Sequence, residues 1–159
     1  MRGYFGVGVE SISKSFNLGN LVRTSHAFGA SFFFTINASV NYGEIKASDT
    51  SHADIHMPYY DYGSVAAMEL PKDCTLVGVE LMDEAVDLPS FRHPLRAAYV
   101  LGPEKGSLSP ELVARCAHVV KIPAKFCVNV GVAGALVIYD RMISLGTFAE
   151  RPVRVGGGV

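Results

Sequence analysis

Three short stretches place chemistry-bearing residues where apolar, strand-like runs end. In Leu101–Gly106, "LGPEKG", Gly102 and Gly106 bracket one carboxylate, Glu104. Ligands of open α/β sheets bind beyond the carboxyl ends of strands, and glycine lets a ligand come close to the backbone. A plain structural turn would also use both glycines. In Ile122–Asn129, "IPAKFCVN", Pro123 redirects the chain and a tight loop feeds a helix. The first N–H groups of a helix have no intrahelical partner. They can hold a polar ligand group while Ile122, Ala124 and Val130 pack against an apolar one. Asn129 suits a helix cap, a ligand contact, or both. In "NLGNLVRT", Arg23 follows Asn20 by three residues, so both face one side of a helix. An arginine there suits a phosphate or another anionic group, or an ordinary salt bridge.

These stretches need a frame, and hydrophobic patterning supplies one. Strands are expected at Tyr4–Val9, Ala30–Ile36, Thr75–Leu81, Ala97–Leu101 and in "HVVKIP" ending at Pro123. The glycines of the first strand suggest close backbone approaches. A helix is expected at Leu18–Phe28, with an apolar stripe at Leu18, Leu21 and Val22 and Gly29 as its stop. Helix Pro110–Cys116 has Ser109 as N-cap and proline in its first position. A long helix runs from Asn129 to Leu145 and ends at Gly146. Short helices are expected at Tyr42–Ser48 and Ser64–Leu70, and one helical turn between Asp83 and Pro94. Tyr59, Tyr60 and Tyr62 suit either a stacking surface or the edge of a sheet. About six strands alternate with four to five helices. That order predicts an α/β fold with a mostly parallel sheet and helices on both faces. One domain, 1–150, and a loose tail, 151–159, are expected.

The bulk numbers exclude several classes. The chain has 159 residues, of which 49% are hydrophobic and 18% charged, a globular balance rather than a disordered one. A net charge of -1 argues against binding nucleic acid by overall charge, while leaving room for a local patch. Cys74, Cys116 and Cys127 are far apart and form no CxxC, so neither a disulfide framework nor a metal site is expected. His52 and His56 are four apart, but "DTS" and Pro58 argue against a helix holding them together. No dinucleotide fingerprint, Walker A loop, HExxH or G-x-S-x-G elbow occurs. No signal segment or membrane span is expected, and a reducing cytoplasm suits the composition.

Taken together, the three stretches resemble the ordered motifs of the SpoU/TrmH-type RNA ribose methyltransferases of the SPOUT superfamily. "NLGNLVRTSHAFGA" resembles the first motif, with Asn20 and Arg23 on hallmark positions. "AYVLGPEKGSLSPE" resembles the second, with Gly102, Glu104 and Gly106. "VVKIPAKFCVNVGVAGALVIYDR" resembles the third, with Ile122, Pro123 and Asn129. Three features depart from the usual third motif. Ala124 replaces a methionine, "CVNVG" replaces "SLNVS", and the loop from Pro123 to Asn129 is short.

The resemblance implies a C-terminal trefoil knot and S-adenosyl-L-methionine as methyl donor, with no metal. It implies an RNA ribose 2'-hydroxyl as acceptor, tRNA favoured over rRNA, and a homodimer. Its cofactor wall would comprise Val79, Glu80, Leu81, Leu101, Gly102, Gly106, Ile122, Ala124 and Val130. Arg23 would place a phosphate and stabilise the oxyanion, or act as base. Asn20 would orient Arg23 or the ribose. Glu104 would brace the loops or pair with Arg23 across the dimer, and Asn129 would fix the third loop. The alternatives are an RNA-binding protein of this fold with weak or lost transfer, a methyltransferase acting on a base nitrogen, and a structural dimeric domain.

Overall fold

The computed structural model describes residues 3–40, 43 and 56–157. Among them, strands β1 (Tyr4–Glu10), β2 (Phe32–Ile36), β3 (Tyr59–Tyr62), β4 (Thr75–Val79), β5 (Val86–Asp87), β6 (Arg96–Leu101) and β7 (His118–Lys121) form one sheet. Its order is β3-β2-β1-β6-β4-β7-β5, and all its pairings are parallel. The helices are α1 (Ser15–Ala27), α2 (Pro110–Arg115) and α3 (Val130–Leu145), with a 3-10 turn at Leu88–Ser90. The expected α/β frame is present. β5 belongs to the connection from β4 to β6, so β7 lies between β4 and that connection.

Side chains alternate across the sheet, as strand geometry demands. On one face Val7, Val9, Phe33, Val77 and Tyr99 join Leu18 and Leu21 of α1 and Val137 and Ile138 of α3. On the other face Phe32, Phe34, Ala98 and Val100 join Leu108 and Leu112 beside α2. Gly6 and Gly8 of β1 stand opposite Phe32 and Phe34 in register. A Cβ on either glycine would lie within 2.3 Å of the facing ring. Those two positions hold glycine so that two phenylalanine rings can lie over β1.

Helix ends follow the sequence closely. Ser109 Oγ accepts from Leu112 N, Asn129 Oδ1 accepts from Gly131 N and Val132 N, and Gly29 leaves α1 with φ +81°.

The differences have physical causes. Residues 64–70 make turns, not the expected helix. The segment makes two single turns, Ala67 N to Ser64 O and Met68 N to Val65 O, and Arg115 meets the carbonyls of Val65 and Met68 where a helix would have continued. β4 stops at Val79, because the Glu80 carboxylate accepts from Leu81 N and Leu108 N. β3 and β5 were not expected as strands; Tyr59–Tyr62 is the sheet edge that the tyrosines allowed. The helix expected at Tyr42–Ser48 and the pair partner His52 lie, apart from Gly43, outside the described residues. Residues 147–157 carry no helix or strand.

Candidate active site

At the carboxyl ends of β4, β6 and β7, three loops enclose a cleft of about 270 Å³. Val79 and Leu101 end two strands and are almost wholly buried, so the floor of the cleft is apolar. Ile122 and Val130 continue that floor where the third loop leaves β7 and enters α3. Glu80, Leu81, Gly102, Gly106 and Ala124 complete the wall. Every residue expected to hold a cofactor therefore lies on this one cleft, together with Glu104 and Asn129. A Cβ on Gly102 would stand 3.2 Å from Leu108 N, which sets the close packing of the second loop. Gly106 turns that loop with φ +101°.

A chain of polar contacts joins the start of α1 to the loops after β6 and β7, which carry the second and third motifs. Ser13 N and Lys14 N donate to the Glu104 carboxylate at 3.1 and 2.9 Å, ahead of the first turn of α1. Ser13 Oγ and Asn17 Nδ2 donate to it as well. Asn17 Oδ1 accepts from Asn129 Nδ2 at 3.1 Å, and Asn129 Oδ1 caps α3. Burial works to raise the pKa of Glu104, but the amides of Glu104 itself, Ser13 and Lys14, with Asn17, outweigh it. They hold the carboxyl below its ordinary value. Glu104 is thus an ionised brace between the start of α1 and the loop after β6, with its lone pairs already engaged.

Arg23 and Asn20 sit elsewhere. Both are exposed on α1, and neither lines the cleft of their own chain. The asparagine of the first motif that joins the polar chain is Asn17, which is 5% exposed. It lies on the buried side of α1 with Leu18 and Leu21. A polar residue one turn before Leu21, on the apolar stripe, was the signal for it. Sequence reasoning passed over Lys14, and took Phe126, Cys127 and Val128 only as part of the third loop without singling them out; all four line the cleft. They lie in loops whose direction no periodicity gives.

An α/β domain with a cleft at the carboxyl ends of parallel strands, walled by the second and third motif loops and touched by Asn17 of the first, is the class that fold and site define. The chain belongs to the SpoU rRNA Methylase family, whose pattern matches residues 5–139. It is 30% identical over 152 residues to the mouse (Mus musculus) tRNA (guanosine(18)-2'-O)-methyltransferase TARBP1, an alignment covering 89% of this chain and 10% of that protein. Among solved structures, the AdoMet-bound rRNA methyltransferase of Sinorhizobium meliloti superposes with a TM-score of 0.80 at 18% identity. That match covers 92% of this chain and 59% of the other. A structure concerned with 2-OH methylation of C/U34 on tRNA superposes at 0.77 with 23% identity, covering 91% and 92%. The chain thus spans a tenth of the mouse relative and about three fifths of the Sinorhizobium protein. At these identities the superpositions establish the fold.

Proposed function

We propose that this chain is an S-adenosylmethionine-dependent RNA methyltransferase acting on a ribose 2'-hydroxyl, with tRNA as its favoured substrate. The single observation that carries the reading is the closure of one cleft by all three motif segments, locked by the Asn129–Asn17–Glu104 contacts. The mouse relative and the structure concerned with C/U34 support tRNA and the 2'-oxygen. The AdoMet-bound neighbour supports the donor. The order β4-β7-β5, with β5 inside the β4–β6 connection, accords with a knotted C-terminal third.

The cleft suits the cofactor. Val79, Leu101, Ile122 and Val130 offer an apolar wall for an adenine, and the open backbone at Gly102 and Gly106 offers polar groups for its edge. When bound, the cofactor supplies an activated methyl group to an oxygen acceptor. The protein's own work is alignment, and disposal of the hydroxyl proton. Glu104 and Asn129 keep the loops at fixed separation. Arg23 places the phosphate beside the acceptor and stabilises the developing oxyanion, as its permanent charge suits.

Arg23 does not reach the cleft of its own chain, which fits a homodimer in which it serves the partner's cleft. The α3 face bearing Val132, Leu136, Tyr139 and Ile143 is exposed at helical spacing, beside α1. Such a stripe suits burial against a second copy.

The test is transfer of labelled methyl from S-adenosylmethionine to unmodified tRNA and rRNA, with digestion to nucleosides and Arg23→Ala as control. Label in 2'-O-methyl nucleosides of tRNA, lost in the variant, is the expected result. Label on a base, or no transfer with any RNA, overturns the reading. Sedimentation of the wild type and of Leu136→Glu tests the dimer.

A further inference from the structure

The methyltransferase reading leaves one aromatic side chain at the site without a task. Phe126 lines the cleft and yet is 76% exposed, midway along the loop from β7 to α3. The apolar floor is already made by residues joined to the core, so Phe126 adds no wall that the fold needs. It stands at the mouth. The same rim carries cations. Lys14 lines the cleft. Lys105 is flanked in sequence by Glu104 and Gly106, and Lys125 by Ala124 and Phe126, all of which line it. All three lysines are exposed. Against them stand two lining carboxylates, Glu104 and Glu80, both engaged by backbone amides rather than by a lysine ammonium in the contacts described. A chain with a net charge of -1 therefore has a small positive excess where its unused ring stands.

A bare aromatic face among lysines is the arrangement by which proteins hold unpaired nucleotides. The ring stacks on a base and the cations meet the phosphates. The cleft is small. At about 270 Å³ it takes one ligand of roughly nucleoside size. A second nucleoside has to rest on the rim. The proposed methyl donor carries no phosphate, so three rim lysines are more than it calls for.

We propose that Phe126 is a stacking platform for an unpaired base of the RNA substrate, at or next to the nucleotide to be modified, with Lys105 and Lys125 holding the adjoining phosphates. This rests on the methyltransferase reading and adds to it the requirement that the substrate be single-stranded at the cleft.

The chain contains no tryptophan, so Phe126→Trp gives a single indole reporter at this position. The variant is titrated with a short unstructured RNA and, separately, with S-adenosylhomocysteine. The expected result is quenching by the RNA and none by S-adenosylhomocysteine alone. In parallel, Phe126→Ala is expected to lower kcat/KM for RNA roughly 10- to 100-fold. Calorimetric affinity for S-adenosylhomocysteine should stay within about twofold, and Phe126→Tyr should restore most of the RNA effect. Quenching by S-adenosylhomocysteine alone would make Phe126 a clamp on the cofactor and overturn the proposal. Emission that follows protein concentration rather than RNA would make it a subunit contact and overturn the proposal equally. No response to either ligand also overturns it. Loss of the methyltransferase reading looks different: the wild type would then transfer no methyl to any RNA, while the RNA titration would still report on stacking.

Discussion

The two ends of the sheet solve opposite electrostatic problems. Because every strand runs the same way, the carboxyl end collects helix starts, rich in unpartnered N–H groups, and acceptors gather there. Glu104 meets the amides ahead of α1, Glu10 takes Ser109 N and Oγ at the start of α2, and Asn129 caps α3. The amino end collects carbonyls, and there the protein places a cation. Arg141 is 6% exposed; it donates to the carbonyls of Tyr4, Pro94 and Leu95 and to Tyr99 Oη, and lies over the Phe5 ring. From Tyr99 the contacts continue to His93 Nδ1 and from His93 Nε2 to Asp140, both at 2.7 Å. The directions agree if Arg141 donates to Tyr99, Tyr99 to Nδ1, and Nε2–H to Asp140. One end is therefore a closed network inside the fold. The other spends its acids on tying loops together and leaves a cleft between them. Charge follows backbone polarity at both ends; the amino end also has a hollow, of about 310 Å³, beside Tyr4, Phe5, Leu95 and Arg141, but the motif segments meet only at the carboxyl-end cleft.

The sharpest way to separate the two ends is to cut the closed one. Arg141→Met should remove the side-chain donor to the Tyr4 and Pro94 carbonyls, while Leu95 O keeps Tyr4 N and Tyr99 Oη keeps His93, costing about 2–3 kcal/mol of stability in urea unfolding. The affinity of the remaining folded protein for S-adenosylhomocysteine should hardly change. Glu104→Gln keeps the shape of the brace but removes its charge. A loss of about 1–2 kcal/mol is expected, as for hydrogen bonds to a charged group, and here cofactor affinity should fall along with stability. Equal effects on affinity from both variants would erase the distinction. Asn129→Ala removes a cap and the link to Asn17, and should cost about 1 kcal/mol in thermal unfolding.

Acid should tell the ends apart by pH. Burial lowers the pKa of His93 below 6.5; Asp140 pulls it back up and Arg141 pushes it further down. The unfolded chain then takes up this proton before the folded one. The contribution of His93 is complete above pH 6.5 and is lost as pH falls from there through the lower folded value. Glu104, held below 4.5, keeps its contribution until the pH drops below that range. Melting followed across pH should show the first loss vanish in His93→Gln and the second persist.

How much of this the sequence disclosed varied with the range of the interactions. The cleft wall was legible because a glycine, proline or acid at a strand end is a local signal: Gly102, Glu104, Gly106 and Ile122 all face the cavity. Caps at Ser109 and Asn129 were legible for the same reason. Asn17 was hidden, because its partners Glu104 and Asn129 are 87 and 112 residues away. β5 is two residues long and exists only because β7 pairs with it. The helix expected at Ser64–Leu70 had adequate composition; in the structure the segment stops at single turns, with carbonyls that also meet Arg115, some 50 residues on. Arg141 drew no reading at all, since nothing nearby in sequence marks the carbonyls it gathers.

The position of β7 has a consequence for how the molecule comes into being. Its strand must settle between β4 and a connection that already spans residues 80–95, so this side of the sheet is not complete until the final third of the chain has been made. Such distant parallel pairings form slowly. The third wall of the cleft follows β7 directly. A nascent or trimmed chain can therefore own the first two motifs and still have no site, and competence to bind arrives in one late step.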